Sequence, residues 1–361
     1  MRKKWTFRAL DTFFFRDGTP FHQGEGGMVQ PKGSFPPSIM TLQGAIRAGL
    51  ARSQGWTPSH PERWPQELGT PDDLGNLRLA GPYLYYKGEY LFPAPLVLFG
   101  EKNEEWELTR LILGDPVDCD LGEQLRLPKL AKRIKGDLFQ GWLTKRGMEQ
   151  VLAGELPDQT EIYSPTQLWK EERRVGLERN RETRTAEDAR LYAITHIRPQ
   201  AKLEVVILTE GIPQEWEVPT QLTIPLGGEG RVASASIVES EERILPEMPP
   251  LQVDEEGILR FTVSLLTPGY YAEPDHVILH GPKDVPGKCI SASIGKLQQI
   301  GGWDLQNRCP RPLYPLLPAG STWFFEAPAS ELPAIQQLHG AMSGEKSAYG
   351  MGQLLIGTWN R

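Results

Sequence analysis

The sequence predicts a mixed α+β protein made of two βαββαβ units with long loop and hairpin insertions. Three observations predict it. A strand-like apolar run near the N-terminus leads through a glycine-rich loop into a capped amphipathic helix, a hairpin signal follows that helix, and strands recur with one helix in the last third. The 361 residues suffice for two domains with their own cores. With 39% hydrophobic and 24% charged residues, the composition is that of an ordinary globular chain. Gly and Pro make up about a fifth of it, against roughly an eighth in average usage, so many connections are irregular loops.

Taken in order, Trp5 to Phe15 has the composition of a buried strand that stops at Arg16, Asp17 and Gly18. A loop with Gly24, Gly26, Gly27 and Gly33 follows. Pro36 and Pro37 then stiffen the chain, and Ser38 is the N-cap of a helix with Ile39, Leu42, Ala45, Ile46 and Leu50 at three-to-four spacing, ending near Ser53 to Gly55. After a loop with Pro58, Pro61, Pro65 and Pro71, Leu77 to Tyr86 and Glu89 to Phe99 flank Lys87-Gly88 as a hairpin. Strand, helix and hairpin open a ferredoxin-like unit, the topology of RNA-recognition motifs. Lys129, Lys132, Arg133 and Lys135, with Leu130 and Ile134 on the other face, read as a short amphipathic helix.

From Arg173 to Arg190 six arginines are balanced by nearby acids, with short apolar patches on either side of a polar excursion. A projecting hairpin fits these letters, and so does a helix with intrahelical ion pairs. Lys202 to Thr209 is a strong strand, and Pro219 to Arg231 runs from a strand into a turn with Gly227 and Gly228. Further strands lie at Ile258 to Thr267, Cys289 to Leu297 and Ser321 to Glu326. A helix follows with Ser330 as N-cap and an end near Gly340. The expected division is 1–200 and 201–361.

The end of the first strand, the helix N-terminus after Ser38 and a loop carrying Arg16, His22 and Lys32 converge on one spot, suited to a phosphate. In the closing stretch from Gly344 to Gly357, glycines allow close backbone approach to a ligand, while Lys346 and Tyr349 offer a charge and a stacking surface. No Gly-Lys-Ser/Thr follows, and the helix precedes the glycines, so neither a nucleotide-hydrolysing loop nor a dinucleotide fingerprint is present. The net charge of −7 excludes a protein that grips nucleic acid by a broad basic face. Either the chain does not bind nucleic acid, or it contacts a short piece through local positive spots while partner subunits supply the rest. Cys119, Cys289 and Cys309 are isolated, which argues against a disulfide framework and a zinc site and fits a reducing cytoplasm. His276 and His280 are four apart, but Val277, Ile278 and Leu279 read as strand and no third ligand is near, so no metal or other cofactor is expected. Arg8 and Asp11 interrupt the N-terminal apolar segment, and no run approaches the roughly 18 residues of a membrane span.

The strings FFFRDGTPF, SFPPSIMTLQGAIR, PAGSTWFFE and EKSAYGMGQLLIG together resemble the third-subunit family of the Cmr complex, the type III-B CRISPR effector, within the RAMP superfamily of RNA-binding proteins. The second ferredoxin-like unit rests on element order and on this resemblance. The resemblance implies a non-catalytic, cytoplasmic subunit that binds the 5′ repeat-derived tag of the CRISPR guide RNA. Its implied partners are the large polymerase/cyclase-like subunit and the backbone RAMP subunits. It also implies that the arginine-rich insertion presses between guide nucleotides or against a neighbour. The RNA-binding positions expected on these grounds are Arg16, Asp17, Gly18, Phe21, His22, Lys32, Ser38, Thr41, Arg47, Arg174, Gly228, Arg231, Lys346, Tyr349, Gly350 and Gly352. An alternative within the superfamily is a guide-processing endoribonuclease with His22 as general acid or base.

Overall fold

Trp5 and Phe7 alternate with Lys4, Thr6 and Arg8, and this period of two is realised as a half-buried strand, Lys3–Ala9. In the computed structural model, which describes residues 1–16, 33–119, 122–179, 182–183, 185–304 and 309–359, Trp5 and Phe7 are fully buried. The described chain is mixed α+β, with mostly antiparallel sheets and few helices. It divides into two compact units. Met1–Arg78, Pro165–Ser240 and Gln299–Tyr314 form the first; Leu79–Ser164, Glu241–Gln298 and Pro315–Arg361 form the second. Each unit is therefore assembled from three separate stretches, whereas the sequence suggested contiguous halves.

In the first unit Lys3–Ala9 lies between two antiparallel neighbours, Glu204–Glu210 and Val232–Glu239, and Gln221–Pro225 pairs with the latter. The helix Ile39–Ser53 lays Leu42, Ile46 and Leu50, all fully buried, on this sheet. Ser38 caps it: the Thr41 amide donates to its hydroxyl at 3.3 Å. The apolar run from Trp5 does not continue as one strand to Phe15. It leaves the sheet after Ala9, and Phe13 forms a bridge with Ile197. The arginine-rich segment is a hairpin, Trp169–Arg179 against Ala186–Pro199, held by cross-strand pairing instead of a helical ladder.

The second unit centres on the strand Ile258–Leu265, flanked antiparallel by Thr322–Pro328 and Leu354–Thr358, with Lys288–Ser293 outside Thr322–Pro328. In chain order the elements are strand, helix Pro274–His280, two strands, helix Leu332–Gln337 and strand. Their core holds Phe261, Val263, Trp323, Phe325 and Ile356, with the Phe261 and Phe325 rings stacked at 5.4 Å. The Lys87-Gly88 turn joins Arg78–Tyr86 to Glu89–Pro93, and both turn residues have positive φ, the backbone that a two-residue hairpin needs.

Three local expectations are corrected. Lys129 belongs to a strand, Gly122–Leu130, paired with Trp106–Cys119, and the basic residues beyond it are irregular, so no amphipathic helix forms. His276 and His280 sit on a helix because Pro274 opens it and Gly281, at φ +76, closes it. Ser330 makes no side-chain cap and lies inside a short 3₁₀ turn, Ala329–Glu331. No helix among the described residues is long and apolar enough to cross a membrane.

Phe261 fills the centre of the second unit. Phe261→Ala is expected to cost about 3–5 kcal/mol in urea unfolding, without changing the strand content seen by circular dichroism.

Candidate nucleic-acid interface

The short segment after the first strand gathers three other pieces of the first unit. Phe13 exchanges two backbone hydrogen bonds with Ile197, both 2.8 Å, which seats the segment on the outer edge of the arginine-rich hairpin. Arg16 forms a bridge with Gly33, and the Ser34 amide donates to the Phe15 carbonyl at 2.8 Å, so the chain entering the glycine-rich loop lies beside the chain leaving it. A β-carbon on Gly33 would fall 2.6 Å from the Thr195 carbonyl oxygen, which is why the return limb can lie flush on the hairpin only as glycine. Gly228 donates its amide to the Phe14 carbonyl at 2.9 Å and brings the glycine turn to the same place. In the same region Phe13 packs on Phe15 and Phe35, and Phe35 on Trp169, with ring centroids 4.8–6.4 Å apart.

The hairpin's period of two puts Glu172 and Arg174 on one face, opposite Ile194, His196 and Arg198 on the facing strand. On that face five charges converge. Asp11 receives Arg174 at 3.2 Å, Arg198 at 3.1 Å and Arg231 at 3.3 Å. Glu172 receives Arg174 at 2.7 Å and Arg198 at 2.5 Å. Both carboxylates are held below their usual pKa range, Asp11 chiefly by its hydrogen bond from Arg174 and Glu172 chiefly by that from Arg198. Beneath them His196 is buried, its Nδ1 2.9 Å from the Thr12 hydroxyl and its ring stacked on Phe14. Burial, and then the charges of Arg174 and Arg231, push its pKa down, so the ring stays neutral under a cationic layer.

The structure thus joins Arg16, Arg174, Gly228 and Arg231 in one region and adds Asp11, Glu172, His196 and Arg198, which the sequence reading did not single out. Alternation along Glu171-Glu172-Arg173-Arg174 was the available signal. Asp17, Gly18, Phe21, His22 and Lys32 lie outside the described residues. Ser38 and Thr41 use their hydroxyls on each other at 3.2 Å and in the helix cap. Arg47 is buried, donating to the Thr70 carbonyl at 2.6 Å and to Gln43 at 3.1 Å, with its guanidinium over the Trp64 ring. Its charge ties the proline-rich loop to the helix and does not face solvent.

In the second unit the closing glycines serve the chain itself. Gly350 donates to the Ser347 carbonyl at 2.9 Å and Gly352 to the Pro268 carbonyl at 3.0 Å. A β-carbon on Gly352 would lie 1.9 Å from the Ser343 carbonyl oxygen. Tyr349 is 4% exposed, and Lys346 sits over its ring at 5.3 Å. The expectation that these amides and this ring meet a ligand is corrected accordingly: close approach is needed here, but to the chain's own backbone, at Ser343 for Gly352 and at Leu79 and Ala80 for Gly350. Among the described residues no group of three or more His, Cys, Asp or Glu is placed to hold a metal.

The arrangement of antiparallel sheets and few helices is shared with solved chains. A chain of the Type III-B Cmr-beta bound to cognate target RNA superposes with a TM-score of 0.53 at 14% identity, over 89% of this chain and 86% of that one. A chain from the same assembly bound to cognate target RNA and AMPPnP gives 0.52 at 15%, over 92% and 88%. At that identity the likeness is one of fold. The family model described as CRISPR-associated protein (Cas_Cmr3) matches residues 5–359, and the chain belongs to that family. No curated protein matches it.

Two outcomes follow from this geometry. Gly352→Ala is expected to lower the melting temperature of the full chain by several degrees, because a β-carbon meets backbone that cannot move aside. The unfolded chain protonates His196 and His339 near pH 6.5, while burial lowers both values in the fold. Unfolded chains therefore bind more protons below that pH, and stability falls as pH drops from 7 towards 5.5. Unfolding curves of His196→Gln combined with His339→Gln should lose most of that slope.

Proposed function

We propose that this chain is the non-catalytic subunit of a type III-B CRISPR effector that holds the 5′ repeat-derived tag of the guide RNA and docks the large polymerase/cyclase-like subunit. The observation that carries the reading is the convergence of the Asp11 to Arg16 segment, the hairpin base and the Gly228 turn, with Arg174, Arg198 and Arg231 on one face. Guanidiniums bind phosphate by paired, charge-assisted hydrogen bonds, and three of them from three elements suit the backbone of a short strand held in one register. A chain of net charge −7 handles RNA through such a local cluster, while partner subunits supply the remaining contacts. Family membership and the likeness to chains of RNA-bound Cmr-beta support the same reading.

Within it, the second unit is a ferredoxin-like fold. The order strand–helix–strand–strand–helix–strand, with the first strand between the third and fourth and the second strand outermost, is that of a split βαβ arrangement. We read the first unit as a more heavily decorated version of it.

The test is an assembled complex purified with guide RNA that carries a photoreactive nucleotide in the tag. The wild-type chain is expected to crosslink to the tag. Arg174→Glu with Arg231→Glu should reduce the crosslink about tenfold while the large subunit still copurifies. Crosslinks confined to other subunits would refute the assignment, and cleavage of repeat RNA by this chain in chelator would refute its non-catalytic part.

A further inference from the structure

The two carboxylates in the arginine cluster are held in different ways. Glu172 lies on the hairpin strand that carries Arg174 and faces the strand that carries Arg198, and its contacts of 2.5–2.8 Å are short, as strong charge-assisted pairs are. Asp11 comes from a separate segment, is 51% exposed at its side chain against 32% for Glu172, and meets its three arginines at the longer distances of 3.1–3.3 Å. Glu172 is a fixed clamp on two guanidiniums. Asp11 is a loosely held anion at the point where all three meet.

Resting on the reading of this face as an RNA interface, we propose that Asp11 occupies a phosphate site. Its carboxylate keeps Arg174, Arg198 and Arg231 gathered in the free chain, and a phosphodiester of single-stranded RNA enters by displacing it. A carboxylate and a phosphate present the same kind of oxygen pair to a guanidinium fork, so the cluster need not be rebuilt when one replaces the other. Exposed ion pairs are individually weak, so the exchange needs no disruption of the fold. Phe13, seated by its two hydrogen bonds to Ile197, stays in place while the Asp11 side chain two residues away swings out to solvent. Among the described residues, the charges paired at the exchange are the three arginines and Glu172, with neutral His196 beneath and Glu229 close enough to act on that ring. Removing Asp11 from that set leaves three cations against one carboxylate, a better match for phosphate than three against two.

The inference makes an acid-to-amide change strengthen binding. The full chain would be titrated into a fluorescein-labelled single-stranded RNA of about eight nucleotides at about 50 mM salt, followed by anisotropy. Asp11→Asn is expected to tighten binding about three- to fivefold, the scale of a few exposed ion pairs, whereas Glu172→Gln and Arg231→Gln weaken it. Asp115→Asn removes one negative charge in the second unit and is expected to leave the affinity unchanged. If Asp11→Asn leaves binding unchanged or weakens it while Arg231→Gln also weakens it, Asp11 only organises the cluster, and the inference fails with the RNA interface intact. If Asp115→Asn tightens binding as much, the gain is bulk charge and the inference fails likewise. If the arginine changes have no effect, or neither wild type nor Asp11→Asn binds, the interface and the inference fall together.

Discussion

The mutual hydrogen bonds between Phe13 and Ile197 are the constraint on which the candidate interface depends. They fix a short, irregular segment to the free edge of a hairpin strand, and its other placements follow from that register. Asp11, two residues before, comes within reach of the arginines on the hairpin face. Phe14, one residue after, offers its carbonyl to Gly228, and Arg16 pairs with Gly33. A slip of one residue would turn each of these groups to the opposite side.

The polar layer does not hold this region together. Its ion pairs lie at the surface, where each contributes about 0–1 kcal/mol. The stabilising part lies beneath, in the buried rings of Phe13, Phe14 and Phe15 and in backbone pairing. That division lets charge be rearranged above while the scaffold stays in place. Neutral His196 marks the boundary: protonating it would set a fourth cation among three, in a position that burial already disfavours.

Features set by near neighbours in sequence were legible, and those set by distant ones were not. Ser38, the helix it caps and the Lys87-Gly88 turn follow from local chemistry and were legible, although the second hairpin strand stops at Pro93 and not at Phe99. The arginine-rich segment stayed open between hairpin and helix because Glu and Arg spaced along it suit either, and only its pairing with Ala186–Pro199 decides. The strand-like Val277-Ile278-Leu279 outweighed Pro274 and Gly281, which carried the correct helical signal. The closing glycines were seen to permit close approach, but nothing nearby in sequence says that the group approached is Ser343 of the same chain. Arg198 and Asp11 were missed because their partnership spans residues far apart in the chain.

The interleaving of the two units bears on how the chain comes off the ribosome. The first unit needs residues up to Tyr314, and the second needs the final strand Leu354–Thr358. Neither can close early in synthesis, so long-range pairing must await most of the polypeptide, and folding is slow, with strand edges exposed meanwhile. No cut at a single point in the sequence would release either unit whole.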